Sequence, residues 1–234
     1  MKAIFNRELD SYFNSMLGYV FLTIFLLLTG VMFFFANLAS TAASMTSFFQ
    51  NINTWALFLL PILTMRMFSE DKKLKTDQLL LTAPVSIWSI VLGKYFAAVC
   101  VFLTAVLVTL FYPVVINFFG TLPFAETISC YVGFILLCSV IIAIGGFMSS
   151  LTESQIVAAI STYGVLIITL FLGNAASYVS NAALSTVLLW LSPVQRFSSF
   201  TQGILDLESV VYYLSLIGLF LFFTVTVFDK RRYK

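Results

Sequence analysis

Between Ser11 and Met65 the chain carries no Asp, Glu, Lys or Arg, and after Lys94 none appears until Glu126. Uncharged stretches of that length cannot be folded away in water, because the interior available to a soluble chain does not grow in step with its apolar content. The whole sequence is 61% hydrophobic and 9% charged, against roughly a quarter charged for soluble domains. Its solvent is lipid. No polar block is long enough for a soluble domain, so residues 1–234 read as a single transmembrane domain of all-α class.

Apolar blocks of about twenty residues are what a bilayer-crossing helix requires. They place spans at 17–37, 54–68 (with a start near Ser47 as an alternative), 87–117, 127–150, 156–173 and 209–228. Between the first two, 38–53 reads as an uncharged polar loop, with Phe48, Phe49 and Trp55 suited to a membrane interface. Pro61 lies inside the second span and removes a backbone hydrogen bond, so that helix is expected to bend. Pro113 marks the far end of the third, whose first turns, with Lys94, are expected to project into the interface. Gly145-Gly146 in the fourth permits close approach of another helix. The connection 174–208 is expected to be extracytoplasmic. Its apolar piece 182–191 is too short to cross and reads as re-entrant or interfacial, turning near Trp190, Pro193 and Phe197.

Six spans put Lys2, Arg7, Arg66, Lys72, Lys73, Lys75, Lys94, Lys230, Arg231, Arg232 and Lys234 on one side and Arg196 alone on the other. By the positive-inside rule both termini are expected in the cytoplasm. The N-terminus is not a cleavable signal, since its apolar run is too long and begins after a mixed-charge segment. Residues 1–16 fit an amphipathic surface helix, with Ile4, Phe5, Leu9 and Phe13 at helical spacing and Lys2, Arg7, Glu8 and Asp10 elsewhere. A frayed tail is the alternative.

Several chemistries are missing. With no His, the commonest general base and metal ligand is absent. Cys100, Cys130 and Cys138 lie in apolar runs without ligand spacing. Gly93-Lys94 lacks the upstream glycine of a phosphate loop. No Asp or Glu falls mid-span, where a charge is functional by default, so a carboxylate proton relay is not expected. The basic residues form no nucleic-acid face. No catalytic, cofactor or metal site is expected in this chain, and it is not expected to be an enzyme.

The charged island is 69–85, inside the longer stretch 69–94. Ser69 can cap a helix, Glu70 and Asp71 complement the dipole in its first turn, and Leu79, Leu80 and Leu81 follow. Pro84 stops it, and Ser86 can cap the next helix. This predicts a short helix ending in leucines, a docking surface for a soluble partner. On physics alone a solvated loop accounts for it equally well.

The order Glu70, Lys75-Thr76, Leu79-Leu80, Pro84-Val85-Ser86, then Trp88 through Gly93-Lys94, resembles the signature of ABC transporter permeases of the type-2 exporter family. A second stretch, Ser192-Pro193, Phe197, Phe200, Gln202-Gly203-Ile204-Leu205-Asp206 and Val210-Val211-Tyr212-Tyr213, resembles the gliding-motility-type and nitrous-oxide-system-type permeases. The resemblance implies six membrane helices per subunit and an N-terminal surface helix. It also implies a cytoplasmic coupling helix between spans two and three, and re-entrant helices before span six. Two such subunits pair with two cytoplasmic ABC ATPases, which hold the ATP and Mg. A second permease copy, identical or related, and an extracytoplasmic accessory protein are the other implied partners, in a bacterial cell membrane. The residues expected to face the ATPase are Glu70, Asp71, Lys73, Lys75, Thr76, Leu79 and Leu80. Two positions depart from the pattern: Lys75 stands where the family usually has Gly, and Asp77-Gln78 where it has an apolar residue and Glu. With Lys there, the helix is expected to run straight through. The rival reading is a membrane scaffold or channel subunit that uses no ATP.

Overall fold

The computed structural model describes residues 1–40, 44–76, 78, 85–178 and 182–232. Among these, regular structure is helical throughout. Helix α1 is Lys2–Phe13, α2 Met16–Phe33, α3 Thr46–Thr64 and α4 Ser69–Lys73. Then come α5 Ile87–Thr109, α6 Phe111–Phe119, α7 Phe124–Leu151 and α8 Gln155–Ala175. The chain ends in α9 Ala182–Trp190, α10 Pro193–Thr201 and α11 Leu207–Arg232. Six stretches are long and apolar enough to cross a membrane: Met16–Leu38, Thr46–Lys73, Ile87–Phe118, Phe124–Leu151, Gln155–Ala175 and Leu207–Arg232. The second span starts at Thr46, beside the alternative start near Ser47 and not at 54, so 46–53 is helix and not the loop its Ser, Asn and Gln content suggested. Phe48 and Phe49 are buried there rather than interfacial, and Phe49 packs edge-on against Tyr131 of α7 at 4.7 Å.

Helix α7 is the most enclosed of the six, packed by α3, α5, α8, α10 and α11. Its glycines explain one of those contacts. A methyl group at Gly145 would lie 2.1 Å from Thr64 Oγ1 and 2.8 Å from Thr64 Cβ, so α3 and α7 touch at this point only because no side chain intervenes. Several serine and threonine hydroxyls within the spans bond back to their own helix, as Thr162 does to Ala158 O at 2.7 Å and Ser139 to Ile135 O at 2.7 Å. In hydrocarbon no water is present to take that bond. The first span ends in a π-helical turn, Phe34–Leu38, in which Ala39 N donates to Phe34 O at 2.8 Å.

The third span is not one straight helix. It breaks at Leu110, and Pro113 sits in the first turn of α6 rather than at the far end, a position where a proline's missing N–H is least costly. The carbonyl that Pro113 cannot engage is that of Thr109, four residues back. Tyr131 of α7 donates its hydroxyl to that carbonyl at 2.8 Å, which satisfies it inside the protein. The break at Pro113 is therefore braced by a tyrosine from a neighbouring helix. One residue past the carbonyl that Pro61 frees, Tyr163 of α8 donates to Phe58 O at 2.6 Å.

At the other end, the connection before α11 folds as α9 and α10, neither long enough to cross. Tyr212 and Tyr213 of α11 donate to Trp190 O and Pro193 O, each at 2.6 Å. Arg196 pairs with Glu208 at 2.9 Å and lies over the rings of Trp190 and Tyr212, 4.2 and 4.8 Å from their centroids. That use of a guanidinium, stacked and paired at once, holds α10 to the start of α11.

Candidate functional site

Of the charged residues between α3 and α5, Arg66, Glu70, Asp71 and Lys72 are engaged by neighbouring residues rather than left in solvent. These lie in a knot where α1, α4, α5 and the end of α7 meet. Its centre is Lys94, whose side chain is 3% exposed. Lys94 Nζ lies 2.7 Å from Asp71 Oδ2 and 3.0 Å from Glu8 Oε1, and donates to Met67 O at 2.9 Å. It points inward, not into the interface as its place near the start of a long span suggested. The cause is tertiary: two carboxylates from different helices converge on it, and a buried ammonium is tolerated only with such partners. Arg7 extends the cluster, 2.6 Å from Glu8 and 3.8 Å from Asp71 Oδ2.

Helix α4 is then fixed on its other sides. Ser69 does not cap it; Ser69 is the first helical residue and its hydroxyl turns back to Met65 O. The cap is Ser149 of α7, whose Oγ accepts from the backbone N–H groups of Phe68 and Ser69, each at 3.0 Å, and donates to Met65 O at 3.0 Å. A capping serine 80 residues distant leaves no trace in local sequence, which is why Ser69 looked the better candidate. Lys72 donates to Ser150 O and sits 5.6 Å from the ring centroid of Phe228 at the end of α11. Arg66 pairs with Glu70 at 2.5 Å and lies 5.8 Å from the centroid of Tyr12. Beyond the break, Ser86 does cap α5, accepting from Ser89 N at 3.3 Å.

The helix does not run straight through Lys75. It ends at Lys73, and Lys75 adopts φ +57°, the left-handed conformation that glycine favours. Lys75 N donates to Lys72 O at 3.1 Å, and the Thr76 hydroxyl reaches Asp71 O at 3.3 Å and Asp71 Oδ1 at 2.8 Å. This is a C-terminal cap of the left-handed type. The position keeps the geometry a glycine would supply while carrying a Cβ. Replacing Lys75 by Gly is expected to raise stability by about 0.5–1 kcal/mol, and Lys75→Val to lower it, read as shifts in thermal midpoint in detergent.

The sequence-derived site residues therefore divide. Asp71 and Thr76 turn inward to Lys94 and to each other, and Glu70 is engaged by Arg66. Lys73 and Lys75 are exposed, with Lys73 beside Glu153, Ser154 and Gln155 at the α7–α8 turn. Leu79 and Leu80 lie outside the described residues. Sequence reasoning overlooked Leu74, an apolar side chain 64% exposed at the tip of α4. It also overlooked Glu8 and Ser149, for which only the long-range packing speaks. Arg7, Glu8, Arg66, Glu70, Asp71 and Lys94 line a polar recess of about 250 Å³ between α1 and α4. Among the described residues no group of His, Cys, Asp and Glu is placed to hold a metal.

The model of the family described as "ABC-2 family transporter protein" matches residues 16–228, from the first span to the end of the last. The chain belongs to the ABC-2 transporter family. A comparison with curated proteins finds no match. An ABC-2 family member is the membrane-embedded permease subunit of an ABC transporter, works with an ABC ATPase, and is a transport subunit rather than an enzyme in itself. The scaffold or channel reading gives way to this one.

Proposed function

We propose that this permease is the membrane half of an exporter, with α4 as the helix on which its ATPase pushes. The observation that carries this reading is the attachment of α4: ion pairs to α5 and α1 through Lys94, and hydrogen bonds to the end of α7 through Ser149 and Ser150. A helix so held cannot move alone. Displacement at its tip passes to the most enclosed span and to α1 together, because packed elements shift as units rather than deform. In this reading ATP and Mg stay on the ATPase. Lys73, Leu74, Lys75, Leu79 and Leu80 face it, while Glu70, Asp71 and Thr76 keep the helix in place. Both termini and α4 lie in the cytoplasm of a bacterial cell, since that side gathers all but one of the described Lys and Arg residues. The whole chain acts as a single transmembrane unit, α1 lies on the membrane surface, and α9 and α10 form the re-entrant pair before the last span. Two copies, or one copy and a related permease, frame the path, and an extracytoplasmic accessory protein is a further partner. The motif from Ser192 to Tyr213 supports the gliding-motility-type or nitrous-oxide-system-type branch.

The test is the double substitution Leu79→Asp, Leu80→Asp in the full transporter. The expected result is a permease that still inserts and keeps its thermal midpoint, but loses co-purification with its ATPase and ATP-driven transport. Intact association and transport would overturn the assignment of α4 and of Leu79 and Leu80 to the ATPase contact.

A further inference from the structure

The second opening at this end of the molecule is of a different kind. Between α1 and α5 lies an apolar groove of about 570 Å³, lined by Met1, Lys2 and Phe5 on one side and Phe96, Val99, Cys100 and Leu103 on the other. Its shape follows from the crossing of the two helices. They touch at Gly93, where a methyl group would lie 3.1 Å from Ile4 Cγ2 and 3.5 Å from Phe5 N. Beyond that contact they diverge and leave a wedge. Phe96, Val99, Cys100 and Leu103 recur at i, i+3, i+4 and i+7, one stripe of α5 about 10 Å long at 1.5 Å per residue. Leu103 lies well inside the span and Phe96 nearer its start, so the stripe runs from the membrane face toward the bilayer interior. The wall carries no charged side chain, and the one charged side chain on the groove is Lys2.

Lys2 is exposed and makes no ion pair with any described residue. The nearest acidic side chain along α1, Glu8, is committed to Lys94 and Arg7. The groove mouth is therefore cationic and its floor apolar. We infer that this wedge is a seat for an anionic phospholipid of the leaflet against which α1 lies: the acyl chain follows the α5 stripe and the phosphate meets Lys2. A chain in water would need to hide such a groove, whereas here lipid is the adjoining phase and supplies both halves of the complement. The bound lipid would bridge α1 to α5 one turn from Lys94, so it would add to the contacts that hold the charged knot together. This inference does not depend on what the transporter moves.

Cys100 gives the readout, since it is the partly exposed cysteine while Cys130 and Cys138 are buried. The full-length chain in neutral detergent is treated with N-ethylmaleimide while phosphatidylglycerol, phosphatidylcholine or inorganic phosphate is added. Phosphatidylglycerol is expected to slow Cys100 modification at concentrations about tenfold below those of phosphatidylcholine, and inorganic phosphate to have no effect. Lys2→Glu should abolish the difference between the two lipids and Lys2→Arg should keep it. Leu103→Trp, which fills the groove, should remove protection by either lipid. Equal protection by both lipids would reduce the groove to ordinary boundary contact and overturn the anionic seat. So would no protection at all, protection by phosphate alone, or a phosphatidylglycerol preference that survives Lys2→Glu. Lys2 is exposed, so its variants test the seat even if Leu103→Trp fails to fold.

Discussion

Replacing Lys94 by Met is expected to cost about 3–5 kcal/mol, the usual result of removing one partner from a buried ion cluster. The loss does not lie in the Lys94 contacts alone. Without the ammonium, Asp71 and Glu8 face each other at 19% and 12% side-chain exposure with only Arg7 near, and Met67 O loses its donor. The distinguishing control is the triple variant Glu8→Gln, Asp71→Asn, Lys94→Met. Neutralising the whole group removes the uncompensated charge, so most of the stability should return. Transport should not return with it if α4 moves the spans through these ion pairs. Unfolding in mixed micelles measures the first quantity and ATP-driven transport the second. A single Lys94→Met variant of wild-type stability would show that the knot is solvated and does not fix α4.

The second large effect is expected at Gly145. A methyl group there meets Thr64 Oγ1 at 2.1 Å and Thr64 Cβ at 2.8 Å, and Thr64 is fully buried. Relief requires α3 to move off α7 or Thr64 to leave its rotamer. Overpacking of this kind costs about 1–3 kcal/mol, and Gly145→Val should reach or exceed the upper end. Because α4 follows α3 and is capped by Ser149, one turn beyond Gly145 on α7, the displacement should also disturb the charged site. Thermal midpoints of Gly145→Ala, Gly145→Val and Gly145→Ala with Thr64→Ala check this. The last should recover part of the loss, since it removes the closest contact, Oγ1 at 2.1 Å, but leaves Cβ at 2.8 Å.

Much of the fold was legible because hydropathy is a local property. A residue meets lipid or avoids it according to its own side chain, so runs of apolar residues give the number and order of the six spans, and Gly145-Gly146 announces a close helix contact. The errors share one origin. Residues 46–53 looked like a loop because Ser, Asn and Gln are polar, yet buried phenylalanines on the same segment turn it into helix. Pro113 looked like a helix end, yet Tyr131 satisfies the carbonyl it frees. Lys75 looked helix-compatible, yet the cap at the end of α4 requires a left-handed residue there, as the glycine of the resembling family had hinted.

By itself the sequence determined the solvent, the number of crossings and the place of the charged segment between the second and third spans. Each follows from side chains weighed one at a time against hydrocarbon. Only the tertiary structure decided that Lys94 turns inward to Glu8 and Asp71, that Ser149 caps α4, and that α1 and α5 part to leave an apolar wedge. Those features depend on which helices lie side by side, and a buried charge or an open N–H takes its partner from whichever helix the packing brings near.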